Sequence, residues 1–341
     1  MKSIFLENPS QISLKESPKP VCNGGDVVLK MHACGICRSD LENIAGHSCK
    51  PTSKIGHEVS GTIIELSKDV HGFELGERVF VHHHSHCKDC HFCNHGNETM
   101  CARYVDSLQP CGMSEEFLLP EWNVKQGCLF KIPDDMSFEE ATLIEPLGCC
   151  VRAQKKLKIQ KDDSVAIFGV GPIGFIHALL AKSRGANTIF CLDINKFRLN
   201  FCKKANLGIP INVNDPNLYQ KISLQTENRG VDFAIIATNE MSVLLKAIDL
   251  VRKGGTILLF GEPRKNSKLD FDISKLYSKE ISIIPSYAAT NENITEAMGL
   301  IKKKIVNVKQ LITHKFPLDE VQDALSFASS EKNAMRIIVV S

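Results

Sequence analysis

The feature that most constrains the fold of this chain is the run from Ser164 to Asp193. Ser164-Val165-Ala166-Ile167-Phe168 is an almost unbroken apolar strand, and it leads straight into Gly169-Val170-Gly171-Pro172-Ile173-Gly174, a G-x-G-x-x-G turn. Helical pattern follows from Phe175 to Ala181. A second strand, Thr188-Ile189-Phe190-Cys191-Leu192, then ends on Asp193. The glycine pattern alone is a weak signal. With a strand before it, a helix after it and an acid closing the next strand, it predicts a dinucleotide-binding βαβ unit. Gly169 allows the tight turn, Gly171 lets a pyrophosphate approach the backbone, and Gly174 lets the helix pack on the strand, with Pro172 and Ile173 completing the turn. The helix N-terminus offers free N–H groups and a partial positive charge to the phosphates. The Asp193 carboxylate suits ribose hydroxyls and repels a 2′-phosphate, so NAD is expected in preference to NADP; Arg198, one helical turn further on, offsets this in part.

Strands and helical segments keep alternating after this unit: Ile209 to Val213, Gly230 to Ala237, the helical Ser242 to Val251, Gly254 to Gly261, and Ile281 to Pro285. This alternation predicts an α/β domain with a doubly wound parallel sheet over residues 149–287. Its last strand is an exposed edge able to pair with a second subunit.

The first 148 residues read differently. Short strands separated by glycine and proline recur at Val27 to His32, Val59 to Glu65, Phe73 to Val81, Cys111 to Leu119 and Cys128 to Ile132. Ser137 and Glu140 form a capping box, and the helix they start is expected to run toward Leu143-Ile144-Glu145-Pro146. Within this half, Cys87, Cys90, Cys93 and Cys101 follow the pattern C-x2-C-x2-C-x7-C. Four thiolates at that spacing close a tetrahedron around one zinc and leave no open position, which makes residues 84–103 a structural zinc lobe. The neighbouring His82, His83, His84, His86, His91 and His95 are read as a solvated polar lobe, with room for one of them to face a substrate. A second candidate set is Cys37 with His57, flanked by Asp40, Glu58 and, further on, Glu145. Thiolate and imidazole are preferred zinc ligands and a carboxylate is an acceptable third; three protein ligands with one position open make a catalytic site.

Composition narrows the class. A chain of 341 residues allows about two domains. A net charge of +2 without a long basic run points away from nucleic acid and membrane surfaces. No adequate apolar run opens the chain and no stretch of ~18 apolar residues occurs, so a cytoplasmic protein is expected. Fourteen cysteines in such a chain indicate metal binding more than disulfides.

Gly35-Ile36-Cys37-Arg38-Ser39-Asp40, Gly56-His57-Glu58, the four-cysteine lobe, Glu145-Pro146-Leu147 and the glycine turn occur in one order over nearly the whole chain. In this the chain resembles the zinc-dependent medium-chain alcohol dehydrogenases, most of all the polyol branch with sorbitol and threonine dehydrogenases. The resemblance implies a GroES-like β-barrel catalytic domain from residues 1–148 and 288–341, a Rossmann NAD-binding domain inserted between, and a cleft holding zinc, nicotinamide and substrate. By position it implies Cys37 and His57 as ligands of the catalytic zinc, and Glu58 and Glu145 as the two carboxylates used by that branch. It further implies Ser39 as the hydroxyl contacting the reacting oxygen and Asp40 as the carboxylate orienting His57. Cys149 and Cys150 lie close to Glu145, but the Glu-Pro-Leu motif favours the glutamate. Many members have a histidine two residues after the aspartate; this chain has Glu42, so the relay is left open among Glu42, His47, a ribose hydroxyl and water.

The activity implied is hydride transfer between NAD(H) and a secondary alcohol or ketone, such as a polyol or sugar. It would be carried by a homodimer or homotetramer with two zinc ions per chain. The alternatives are a catalytically inactive nucleotide-binding or structural protein of the same fold, and a zinc-free reductase, against which the metal motifs speak.

Overall fold

Short apolar runs rich in β-branched residues, broken by glycine turns, build the strands of the first half. The computed structural model describes residues 1–8, 11–46, 55–106 and 111–341; His47 lies outside them. β1 (Lys2–Asn8) and β2 (Gln11–Glu16) form an antiparallel pair. They are followed by β3 (Val27–Gly35), β4 (Glu58–Leu66), β5 (Arg78–His82), β6 (Glu116–Leu119) and β7 (Leu129–Lys131). Then come β8 (Ser164–Phe168), β9 (Thr188–Asp193), β10 (Ile209–Asn212), β11 (Val231–Ile236), β12 (Val251–Leu259) and β13 (Ser282–Pro285), and lastly β14 (Ile312–Pro317) and β15 (Arg336–Val340).

The chain divides into two compact units, Met1–Gly148 with Ala288–Ser341, and Cys149–Tyr287. In the first, a seven-stranded sheet has the order β14-β15-β3-β4-β5-β7, with β6 pairing β3. Its core gathers Val27, Leu29 and Met31 of β3, Val79 and Val81 of β5 and Ile337 and Val339 of β15. The C-terminal tail therefore supplies a strand beside β3, antiparallel to it, with Ile338 opposite Gly35.

The second unit is a six-stranded sheet of order β10-β9-β8-β11-β12-β13 in which every neighbouring pair is parallel. Burial on both faces explains why β8 needs no polar alternation: all five of its residues are buried. The order reverses at β8, so the glycine turn that follows β8 lies at the topological switch point. Close helix–strand packing requires Gly174, since a Cβ there would lie 1.9 Å from the Gly169 carbonyl oxygen. β13 forms an edge of the sheet. Among the described residues no helix is long and apolar enough to cross a membrane.

Some expectations need correction. The strand expected from Phe73 begins only at Arg78, because the preceding backbone closes a turn, with Glu77 N–H on the Glu74 carbonyl at 3.3 Å. The strand expected from Cys111 begins only at Glu116. The capping box forms as read, with Ser137 Oγ accepting from Glu140 N–H at 3.1 Å. Its helix, however, stops at Ala141, and a second helix, Ile144–Lys155, begins three residues later. Glu145 and Pro146 thus lie in the first turn of a new helix, where proline's missing N–H leaves no bond unmade.

Candidate active site

Strand register explains how Cys37 and His57 meet. β3 and β4 pair antiparallel with Gly35 opposite Glu58. Cys37 lies two residues beyond the end of β3, as N-cap of the helix Arg38–Ile44, and His57 lies one residue before β4. The donor atoms of Cys37, His57 and Glu58 all fall within 4.8 Å of one another. Asp40 ties the two loops together. Its carboxylate accepts from the backbone N–H of Cys37 at 3.0 Å and of Gly56 at 3.3 Å, and stands 3.2 Å from His57 Nδ1. That contact leaves the other ring nitrogen of His57 for a metal. Ser39 Oγ donates to Cys37 Sγ at 3.2 Å.

Burial opposes charge on each of these groups, and their mutual attraction outweighs it. Burial would raise the Cys37 thiol, but the neighbouring His57 draws it below the ordinary thiol range. Burial would lower His57, but Asp40 and Cys37 hold it well above the ordinary imidazole range. Asp40 is lowered in turn by His57 against the effect of burial. The thiolate is the zinc-binding form of cysteine, and the cluster already favours it.

Glu58 is fully buried and forms an ion pair with Arg336, itself 4% exposed, through Oε2 and Nη2. Gly35 makes room for the pair: a Cβ there would lie 2.2 Å from Glu58 Oε2 and 2.4 Å from Arg336 Nη2. Arg336 was not found from the sequence. Its only signal is a basic residue opening an apolar terminal strand. Glu145 is buried but does not join the mutual grouping of Cys37, His57 and Glu58. Glu42, at the relay position, is ion-paired with Arg38, whose Nε donates to it at 2.8 Å.

Cys87, Cys90, Cys93 and Cys101 also converge, with Sγ separations of 3.5 Å for Cys90–Cys93 and Cys101–Cys87 and 3.9 Å for Cys87–Cys93. A tetrahedral zinc with sulfur ligands at about 2.3 Å has edges of about 3.8 Å, so the residues fit the ion. Hydrogen bonding from the Cys93 backbone lowers the Cys90 thiol to about 7.

The histidine run departs from its reading as a solvated lobe. His91 and His95 are exposed, but His82, at the end of β5, and His83 and His84, which follow it, are all buried. Burial lowers His82 to about 4, against the hydrogen bond of its Nδ1 to Asn291 Oδ1 at 2.8 Å. The His83 ring lies 4.5 Å from the His57 ring, centroid to centroid.

In the second unit, the helix Pro172–Ser183 starts with Gly171 as N-cap and Pro172 in its first turn, leaving the turn's amides to face an anion. Asp193 accepts from Val170 N–H and from Asn195 N–H, both at 2.9 Å, so it braces the glycine turn that it follows in space. Arg198 Nη1 lies 3.8 Å from Asp193, and a Cβ on Gly171 would lie 3.5 Å from its guanidinium.

A β-rich unit with two convergent zinc-ligand sets, joined to a Rossmann unit, is the build of a zinc-dependent, nicotinamide-linked dehydrogenase. Comparison with known proteins agrees. Residues 23–134 match the alcohol dehydrogenase GroES-like domain and residues 172–303 the zinc-binding dehydrogenase domain. The chain is 30% identical over 316 residues to a sorbitol dehydrogenase of Halalkalibacterium halodurans, covering 90% of each. It is 29% identical over 347 residues to the sorbitol dehydrogenase of Bacillus subtilis, covering 100% of this chain and 97% of that one. Among solved structures, an alcohol dehydrogenase from E. coli CFT073 complexed with NADH superposes with a TM-score of 0.90 at 26% identity, over 100% of this chain and 99% of that one. The chain belongs to the zinc-dependent medium-chain alcohol dehydrogenase family, on its polyol dehydrogenase side. It is an oxidoreductase whose cofactors are zinc and a nicotinamide dinucleotide, and the inactive, structural alternative finds no support among these relatives.

Proposed function

We propose that the protein oxidises a polyol or related sugar alcohol at a secondary carbon with NAD, and reduces the matching ketone in reverse. One observation carries this reading: thiol, imidazole and carboxylate of Cys37, His57 and Glu58 share one site in a chain that also carries a braced glycine turn. The first unit would hold metal and substrate, the second the dinucleotide. Polyol substrates are favoured by the sorbitol dehydrogenase relatives and by the polar, histidine-rich wall beside His57.

Cys37 and His57 would hold the catalytic zinc, with Glu58 or Glu145 as third ligand, and the four-cysteine lobe would hold a structural one. When bound, zinc supplies Lewis acidity toward the substrate oxygen and the nicotinamide supplies a hydride acceptor. The chain's own part is positioning and proton handling. Asp40 fixes the His57 ring and, through the Cys37 and Gly56 amides, the spacing of the two loops. Ser39 Oγ takes the proton from the substrate hydroxyl and passes it outward; Glu42, held by Arg38, marks one exit. Among the described residues the cysteines form no disulfide, which suits a reducing, cytoplasmic setting, and the edge strand β13 suits pairing with a second copy in a homo-oligomer.

A screen of polyols, sugars, sugar phosphates and simple alcohols on zinc-loaded protein, read as NADH absorbance, tests the reading. NADH should appear with one or more polyols; silence across the whole panel would contradict it. The cofactor choice is tested by Asp193→Asn, which removes the charge but keeps an acceptor for Val170 N–H. With the repulsion gone and Arg198 beside the site, the NADP-to-NAD ratio of kcat/KM should rise by at least about tenfold. An unchanged ratio would place the discrimination elsewhere.

A further inference from the structure

Two buried nitrogens beside His57 are left without a partner, and their surroundings say what they await. His82 Nε2 and His83 Nδ1 have no hydrogen-bond partner although both residues are at least nine-tenths buried. Such atoms are costly unless a ligand meets them. The role of His82 can be assigned. Asn291 Nδ2 donates to the carbonyls of Gln126 and Gly127 at 2.9 and 3.1 Å, so its Oδ1 faces His82. His82 Nδ1 must then be the donor, and Nε2 carries a lone pair that can only accept. His83 is held as firmly. Its ring lies between those of His57, at 4.5 Å, and His84, at 3.8 Å. His84 in turn stacks at 4.0 Å on Tyr104, whose hydroxyl donates to the Ala289 carbonyl at 2.8 Å.

We propose that His82 Nε2 and His83 Nδ1 form a subsite that hydrogen-bonds the non-reacting hydroxyl groups of a polyol, next to the carbon being oxidised. The proposal rests on the polyol reading above. A polyol supplies hydroxyls that donate and accept at adjacent carbons, which matches an imidazole acceptor and a second imidazole one ring away. The nitrogens of His82, His83 and His84 lie close enough to one another, within 4.8 Å, to be taken for a metal site. That group contains no anionic ligand, however, whereas the adjoining Cys37–His57–Glu58 group offers a thiolate and a carboxylate, so a dication is drawn to the latter.

The test uses the zinc-loaded enzyme and compares kcat/KM for sorbitol with that for 2-butanol, which lacks neighbouring hydroxyls. His83→Phe keeps a ring against His84 and removes both nitrogens. The sorbitol-to-2-butanol ratio should fall by about 10- to 100-fold, chiefly through KM for sorbitol, as expected where a site built to bind hydroxyls loses its partner. Zinc should remain at two per chain. His83→Asn, which restores a polar atom, should regain part of the ratio, and His83→Val is read in the same way if the phenylalanine variant does not fold. A ratio within twofold of wild type overturns the subsite. So does a third metal ion per chain in wild type that His83→Phe removes. A wild-type enzyme that oxidises simple secondary alcohols but no polyol overturns both the substrate reading and the subsite, whereas polyol turnover with an unmoved ratio overturns the subsite alone.

Discussion

Replacing Cys37 by serine should lower NAD-linked alcohol oxidation by at least about 10³-fold, because a metal Lewis acid contributes several kcal/mol and about 1.4 kcal/mol is a factor of ten. The substitution is nearly isosteric and leaves the Asp40 carboxylate its bond to the backbone N–H of residue 37. The helix Arg38–Ile44 should therefore stay in place. Zinc content should drop from two ions per chain to one, the remaining ion belonging to Cys87, Cys90, Cys93 and Cys101. NADH binding should persist, since the glycine turn and Asp193 belong to the other unit. Full activity in this variant, with two zinc ions retained, would remove Cys37 from the metal site.

A second large effect is expected at a residue that does no chemistry of its own. Arg336→Met should destabilise the metal-free protein by about 3–5 kcal/mol, the usual cost of stranding one member of a buried ion pair. For a unit of this size the loss amounts to a Tm lower by roughly 6–20 °C. The reason is geometric: Glu58 is fully buried, and Arg336 is the cation paired with it. Zinc makes the prediction more specific. If Glu58 is a metal ligand, the ion supplies the missing positive charge, and zinc-loaded Arg336→Met should lose clearly less stability than the metal-free form. Equal losses with and without zinc would leave Glu58 as the partner of Arg336 alone and favour Glu145 as the third ligand. Thermal unfolding of both forms, followed by circular dichroism, decides between them.

How much of this was legible in the sequence depends on the range of the interaction. The βαβ unit with its glycine turn was readable because its parts are contiguous: the β8 strand, the glycines, the helix and Asp193 follow one another in the chain. The convergence of Cys87, Cys90, Cys93 and Cys101 was readable for the same reason, as four cysteines within fifteen residues impose their own spacing. Cys37 and His57 could be paired because a short loop separates them and each lies at a strand end. Arg336 could not, since it reaches Glu58 only through the register of β15 on β3 and of β3 on β4. The burial of His82 to His84 was likewise hidden. A polar run reads as solvated until one knows that it begins at the end of β5, an interior strand between β4 and β7, and that His84 stacks on the buried Tyr104. The break between Ala141 and Ile144 was concealed by continuous helical composition. Only afterwards does Pro146 stand out as a residue suited to the first turn of a new helix.

The most direct test is anomalous scattering at the zinc edge from crystals of the zinc-loaded enzyme. Two peaks per chain should appear. One should lie about 2.3 Å from the sulfurs of Cys87, Cys90, Cys93 and Cys101. The other should lie about 2.3 Å from Cys37 Sγ and about 2.1 Å from a ring nitrogen of His57, with a carboxylate oxygen of Glu58 or Glu145 completing the protein ligands. A single peak in the cysteine lobe, with Cys37 and His57 holding no metal, would contradict the account.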